Sequence, residues 1–330
     1  MVKICVIIAS HISIATRVKP LIDALLSIIE QTEKVHTFLS ISFENSLLKE
    51  VFNRAVKKFL IYNHPVFIRY EEQKTSQFRH IEKTINVIYM KFDYVLFLDD
   101  DDTYHHERVE MFKQNLEIGQ EMIKHEKDII LAGLYEKKEE DKNHSNEVYE
   151  YWTYGVKMDI ILNFFNIIKN EQLDEFIDNK YCDMLFSHYL RRLDKRHAFL
   201  TVILKEIMYN HNIRDDSLCG KIRLGNIKQK ERKIKKETNF KVFIEDFNNH
   251  LKDNKKTIVD QMFLKYCGKP QSLINMLADM NGESIYTYFS YLNSELINEF
   301  QIELNKIKKL CNILYMYKHE NENDKIDKSY

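Results

Sequence analysis

The sequence predicts an α/β protein: a mostly parallel, doubly wound sheet followed by a helical C-terminal region. Three observations carry that expectation. The runs Ile4–Ala9 and Tyr94–Leu98 are continuously apolar, the pattern of strands covered on both faces rather than one. Amphipathic stretches separate such runs at the rhythm of successive βαβ units. Glycine and proline are scarce, 7 and 3 among 330 residues, which disfavours all-β and loop-dominated architectures that need turn formers at short intervals.

The elements follow in order. After the first strand, Leu21, Ile22, Leu25, Leu26 and Ile29 make the core-facing stripe of a helix, with Pro20 in its first turn, where no backbone donor is missed. Residues 36–43 (HTFLSISF) read as the second strand, and Leu47, Leu48, Val51, Phe52, Ala55, Val56 and Phe59 mark the next helix. Val66–Tyr70 is a third strand, followed by a helix over about 77–90 and then the strand at 94–98. A helix near 106–124 and a strand at 128–134 come next. Lys137–Glu147 reads as an exposed charged loop. Beyond it the pattern gives a short strand around 149–155, helices at 157–169 and about 180–193, and a strand pair near 198–211 that would close the sheet. After Gly220 the character changes: a basic run at 228–236, about four amphipathic helices over 240–316, and a polar tail over 318–330. The expected division is 1–220 and 221–330.

Composition removes several classes of partner. A formal net charge of −1 creates no global field to gather nucleic acid or an anionic membrane. The five cysteines are scattered, without CxxC or Cys/His spacing, and read as free thiols of a reducing compartment. The N-terminal apolar segment is too short for a secretory signal, and no stretch approaches the roughly 20 apolar residues of a membrane span. These features imply a cytoplasmic protein, soluble or peripheral at a membrane surface. The lone Trp152 reads either as core or as a platform for a sugar face, and the basic run either as a solvated helix face or as a contact for a polyanion.

The acidic run Asp99-Asp100-Asp101-Asp102 is the feature with chemistry in it. It stands directly after an apolar strand, and ligands of open α/β sheets bind outside the carboxyl ends of the strands. Four adjacent like charges repel, and a divalent cation with phosphate oxygens would compensate them. The plainer reading is a solvated acidic loop in which one Asp caps the helix that follows.

Those residues carry a family resemblance. Phe97-Leu98-Asp99-Asp100-Asp101-Asp102 resembles the DxD signature of family 2 glycosyltransferases. Val6-Ile7-Ile8-Ala9-Ser10-His11 stands where V-I-I-P-T-Y is common in that family, and Leu25–Thr32 is similar to its L-x-S-I-x-x-Q-T. The resemblance covers about the first 100 residues, more weakly to 220. It implies a GT-A (Rossmann-like) catalytic domain that moves a sugar, with inversion, from a nucleoside diphosphate sugar (UDP-sugar favoured) to a glycan, lipid or protein hydroxyl. It implies Mn²⁺ or Mg²⁺ as cofactor, with Asp99, Asp101 and Asp102 as the metal set, and Ser10, His11, Asp99 and Asp100 at the donor. Where the family has an Asp-Asp-Gly-Ser turn this chain has Phe43-Glu44-Asn45-Ser46, leaving Glu44 as the acid for the donor base. Arg79 falls near an arginine that would contact the diphosphate. In Tyr181-Cys182-Asp183-Met184, Asp183 matches the catalytic base, although Cys182 replaces the family's glutamate; Asp174 and Asp178 are rivals. Tyr209–Leu218 resembles a loop that folds over the diphosphate, with Arg214 in its histidine slot and His211 displaced from it. Gly133 and Gly155 would allow close approach near the acceptor, and the C-terminal helices could serve oligomerisation. A nucleotidyltransferase and a catalytically silent module of the same fold are the competing readings.

Overall fold

The computed structural model describes residues 2–57, 65–126, 129–136, 150–193, 199–212, 240–281 and 283–316. The chain divides into two compact units, Met1–Asn210 with Leu310–Tyr330, and His211–Lys309.

The first unit is built on a seven-stranded sheet. In chain order its elements are β1 (Ile4–Ile12), α1 (Val18–Ile29), β2 (His36–Phe43), α2 (Ser46–Lys57), β3 (Val66–Glu71), α3 (Gln77–Ile88), β4 (Tyr94–Asp99), β5 (Thr103–Tyr104), α4 (Arg108–Met122), β6 (Ile130–Glu136), β7 (Tyr154–Lys157), α5 (Met158–Asn170), α6 (Cys182–Leu193), β8 (Phe199–Leu204) and β9 (Tyr209–Asn210). The sheet order is β3-β2-β1-β4-β7-β6-β8, in which only β7 runs antiparallel to its neighbours. The α/β class and the mostly parallel, doubly wound sheet are as the sequence predicts.

Both faces of the central strands are covered, which is why their sequences do not alternate. Val6, Ile8, Leu96 and Leu98 join a core with Leu21, Leu25 and Ile28 of α1 and Phe112 and Leu116 of α4. On the opposite face, Phe97 meets Phe186 of α6 at 6.0 Å between ring centroids, and Phe78 of α3 meets the same ring at 5.6 Å. The chain leaves β1 for β2 and β3 on one side, then returns to place β4 on the other. The carboxyl ends of β1 and β4 therefore form the topological switch point, where such sheets open a ligand crevice.

One expectation is corrected in part: of the strand pair expected near 198–211, β8 closes the sheet against β6, but β9 pairs with β5 in a separate two-stranded ribbon. The two glycines have packing reasons of their own: Gly133 has φ +154°, and a Cβ there would lie 1.9 Å from the carbonyl oxygen of Gly155, whereas a Cβ on Gly155 would meet the Phe112 ring at 2.7 Å and Leu96 at 2.8 Å.

The second unit holds α7 (Phe240–Asp253), α8 (Lys255–Gly268), α9 (Leu273–Asn281), a 3₁₀ segment (Glu283–Tyr291) and most of α10 (Ser294–Met316). Its core is made of one helical face from each, including Phe247, Leu251, Met262, Phe263, Met276, Leu277, Phe300 and Leu304. Among the described residues no helix is long and apolar enough to cross a membrane. Cys5, Cys182, Cys267 and Cys311 are buried and outside any disulfide; Cys219 lies outside the described residues.

Candidate active site at the sheet switch point

Asp99 is the last residue of β4, and the chain turns immediately, with the amide of Asp102 donating to the Asp99 carbonyl at 3.3 Å. Four carboxylates are thereby presented around one turn, and each of three has a defined place. Asp100 points across to β1: Ser10 Oγ donates to its Oδ2 at 2.5 Å, and Arg17, in the segment between β1 and α1, donates to Oδ1 at 2.7 Å. Asp99 Oδ1 accepts from Gln77 Nε2 of α3 at 2.8 Å and from the hydroxyl of Tyr151. Asp102 is fully buried and accepts from Tyr209 OH at 2.8 Å. Asp101 is half-buried within the same turn. None of the four caps α4, whose N-cap is Glu107 without a side-chain hydrogen bond.

The electrostatics record the crowding. Burial, and after it the neighbouring Asp102 carboxylate, pushes Asp99 well above the usual carboxylate range, and the Tyr151 hydrogen bond offsets part of that rise. Burial and the Asp99 charge raise the Tyr151 hydroxyl as well, so it stays a donor. Tyr209 is held the same way by burial, Asp99 and Asp102. It receives the Asp99 amide at 3.0 Å while donating to Asp102, and so bridges the two ends of the turn.

The β5–β9 ribbon explains how Tyr209 arrives there. Tyr104 pairs with Tyr209 across it, and Trp152 stacks on the Tyr209 ring at 4.2 Å. Trp152 is thus a wall of this clamp, its ring turned to Tyr209. Behind it, Arg108 and Glu136 form a fully buried ion pair at 2.7 Å, with the guanidinium 4.1 Å from the centre of the Tyr104 ring.

Asp183 sits in the first turn of α6. Its Oδ1 is sealed from solvent without a hydrogen-bond partner, and burial raises the carboxyl to about 7. Its charge reaches Tyr151, the residue that also holds Asp99, so both carboxylates bear on one hydroxyl.

The remaining predicted residues separate into two groups. His11 and Glu44 are brought together at the carboxyl ends of β1 and β2, with His11 Nε2 3.1 Å from Glu44 Oε2 and Nδ1 2.9 Å from Ser42 Oγ. Ser42 continues to the buried His80, which also meets Ser40; burial lowers His80 to about 4 and keeps it neutral. Arg79, in contrast, is turned away from the turn and held by Glu82, Asp174 and Asp178 at 2.6–2.9 Å. Its helix reaches the site through Gln77 instead. The same contacts engage Asp174 and Asp178, the rivals of Asp183. Arg214 lies outside the described residues. Gln77, Arg17, Tyr151 and Tyr209 were not assigned from the sequence. Only their positions hint at them: Arg17 just after β1, Gln77 two residues before Arg79, Tyr151 beside Trp152, and Tyr209 opening the segment similar to a diphosphate loop.

Metal-capable geometry is uneven. Among the described residues, the three ligating side chains whose atoms all fall within 4.8 Å of one another are the exposed His105, His106 and Glu107. Asp99, Asp101 and Asp102 do not converge to that degree.

No protein-family model and no curated protein matches the sequence. Among solved structures the chain is similar to Staphylococcus aureus TarS, at 13% identity and a TM-score of 0.40, over 95% of this chain and 55% of that one. The chain thus spans little more than half of TarS; the TarS fragment 1–349 is matched at 14% identity and 0.39, over 95% and 90%. A mannosyltransferase from Pyrobaculum calidifontis, in complex with GDP-Man and Mn²⁺, is matched at 7% identity and 0.43, over 96% and 88%. A 4-diphosphocytidyl-2C-methyl-D-erythritol synthase from Anaerococcus prevotii is matched at 12% and 0.38, over 68% and 96%. At such scores these likenesses carry no functional conclusion.

Proposed function

We propose that the chain is a glycosyltransferase that moves a sugar from a nucleoside diphosphate sugar to a hydroxyl acceptor with inversion. The observation that carries this reading is the placement of Asp99–Asp102 at the β1/β4 switch point, with the poised carboxyl of Asp183 in electrostatic reach of the same hydroxyl. A crevice at that point suits a nucleotide. The His11–Glu44 pair at the carboxyl ends of β1 and β2 is the contact for the donor base, with a UDP-sugar as first candidate. Residues 1–220 would carry the reaction, leaving the helical remainder for the acceptor or for self-association.

The donor set fits Mn²⁺ or Mg²⁺ in kind, being all carboxylate oxygen. It does not fit a cage of three protein ligands. Asp102 is sealed beneath Tyr209, so Asp101 and the second oxygen of Asp99 are the groups that would hold such an ion. Such an ion, when bound, stabilises negative charge on the diphosphate.

The chain's own residues account for the rest. Gln77 and Tyr151 fix one oxygen of Asp99, and Tyr209 fixes Asp102 and the turn between them. Asp183, ionised, takes the proton of the acceptor hydroxyl as its oxygen bonds to the anomeric carbon. The bond from that carbon to the diphosphate oxygen breaks, and its electron pair leaves with the diphosphate. A carboxyl near 7 is a stronger base than an ordinary one while still substantially ionised at neutral pH. Turnover of labelled nucleotide sugars with and without Mn²⁺, on the wild type and on Asp101→Asn, tests the reading. Transfer that Asp101→Asn abolishes at unchanged melting temperature is expected; transfer retained in that variant removes the carboxylate run from the mechanism.

A further inference from the structure

The carboxylate site lies beyond the carboxyl ends of the strands. At their amino-terminal ends, below β1, β2 and β3, there is a second concavity that the reading above does not use. It is an open cleft of about 760 Å³, a volume within the range of about 300–1,000 Å³ typical of small-molecule sites.

One wall of the cleft is aromatic. Phe38 and Phe67 are register partners on β2 and β3, so their rings stand side by side, stacked at 5.1 Å. His36 also stacks on Phe67, at 6.1 Å, and Phe92 packs edge-on against Phe38 at 5.6 Å. Ile88 and Leu39 add buried aliphatic lining. Phe67 stays 50% exposed, and Val87, on the α3 side of the cleft, 62% exposed. An aromatic wall left open to water at a cavity is the mark of a surface awaiting an apolar ligand.

Charge selects the kind of ligand. The lining holds five cations, Lys3, Lys34, Arg69, Lys91 and Lys113, against one carboxylate, Glu33. Arg69 is paired with Glu71 and Lys113 with Glu33. Lys3, Lys34 and Lys91 are exposed and have no carboxylate within ion-pair distance among the described residues. Nearby Asp93 accepts the backbone amide of Lys3. With a formal net charge of −1 the chain's cations and carboxylates balance overall, so this excess of positive charge is local.

We propose that the cleft binds a long-chain amphiphile with an anionic head group, one molecule at a time. The chain lies along Phe38, Phe67 and Phe92, and the head group rests on Lys34 and Lys91. The site is independent of the carboxylate run and stands whether or not the chain transfers sugars.

Isothermal titration with dodecyl phosphate, dodecyl maltoside and dodecyltrimethylammonium, each below its micelle-forming concentration, tests this. Dodecyl phosphate should bind one to one with a negative heat-capacity change, the mark of buried apolar surface. It should bind about tenfold or more tighter than the maltoside, the discrimination expected of about 1.4 kcal/mol. Phe67→Ser should weaken both by a similar factor. The double variant Lys34→Glu/Lys91→Glu should erase the preference for phosphate while leaving maltoside binding intact, and inorganic phosphate should not compete. Both variants alter exposed or half-exposed side chains, and melting curves verify that they fold. Equal affinity for the three amphiphiles overturns the proposal. So does binding unmoved by Phe67→Ser in a folded variant, competition by inorganic phosphate alone, or binding seen only with anionic phospholipid vesicles and never with the monomeric amphiphile.

Discussion

Replacing Asp183 by Asn separates catalysis from stability at a single atom. In the folded chain burial raises this carboxyl to about 7, while in the unfolded chain it titrates near its reference value of about 3.9. The native state therefore keeps a proton that the unfolded state releases between about pH 4 and 7. Wild-type stability is undiminished by this group below pH 4 and is lost progressively as pH rises through that window. Roughly three units at about 1.36 kcal/mol each give an upper limit of about 4 kcal/mol, lowered by solvent relaxation around a residue that is only partly buried. Asn carries no charge and escapes the loss. Asp183→Asn should match the wild type near pH 4 and exceed it increasingly up to pH 8, with sugar transfer lost throughout. Urea unfolding of both proteins at pH 4.5, 6 and 8 measures it. A stability difference that does not change with pH refutes the burial argument and the poised base with it. In the active wild type, the rate should rise with pH through about 7, where the base ionises.

Three further perturbations follow from the same structure. His80 is held neutral, its value lowered to about 4 by burial, so its contribution is present above about pH 6.5 and is lost as pH falls toward 4; His80→Asn should be less stable at pH 7, with the deficit closing by about 3 kcal/mol at pH 4 in denaturant titrations. This slope opposes that of Asp183, so only single-variant comparisons resolve the two. Arg108→Met strands the buried carboxylate of Glu136 and should cost about 3–5 kcal/mol, most of it recovered in Arg108→Met/Glu136→Leu when unfolding is followed by circular dichroism. Gly133→Ala sets a Cβ 1.9 Å from the Gly155 carbonyl oxygen, a backbone clash that should exceed about 3 kcal/mol in the same assay.

The sequence was legible where physical chemistry is local. A strand buried on both faces must be apolar throughout, so β1 and β4 announced themselves, as did the helical stripes of α1 and α2. The bounds of β2 coincide with the expected 36–43, and the polar run Glu44-Asn45-Ser46 marks its far end. The two-residue strands β5 and β9 left no periodicity to read, and their pairing joins residues more than 100 positions apart. The same limit applied to the site. Asp99–Asp102 was readable as a dense run after a strand, and Asp183 as an acid opening a helix. Whether Arg79 or Gln77 faces that run depends on a rotation of α3, and Asp174 and Asp178, from a distant segment, capture the arginine on the other side. The tyrosine donors to Asp99 and Asp102 could not be told from core aromatics without knowing that three distant segments meet at the switch point.

Calorimetric binding of UDP-, GDP- and CDP-sugars to the wild type and to Asp101→Asn, with and without Mn²⁺, tests the central claim most directly. The account predicts saturable, Mn²⁺-enhanced binding of one nucleotide sugar to the wild type, with the enhancement absent in a folded Asp101→Asn. No binding of any nucleotide sugar, or equal enhancement in the variant, would contradict it and make Asp99–Asp102 a structural turn held by Gln77, Tyr151, Tyr209 and Arg17.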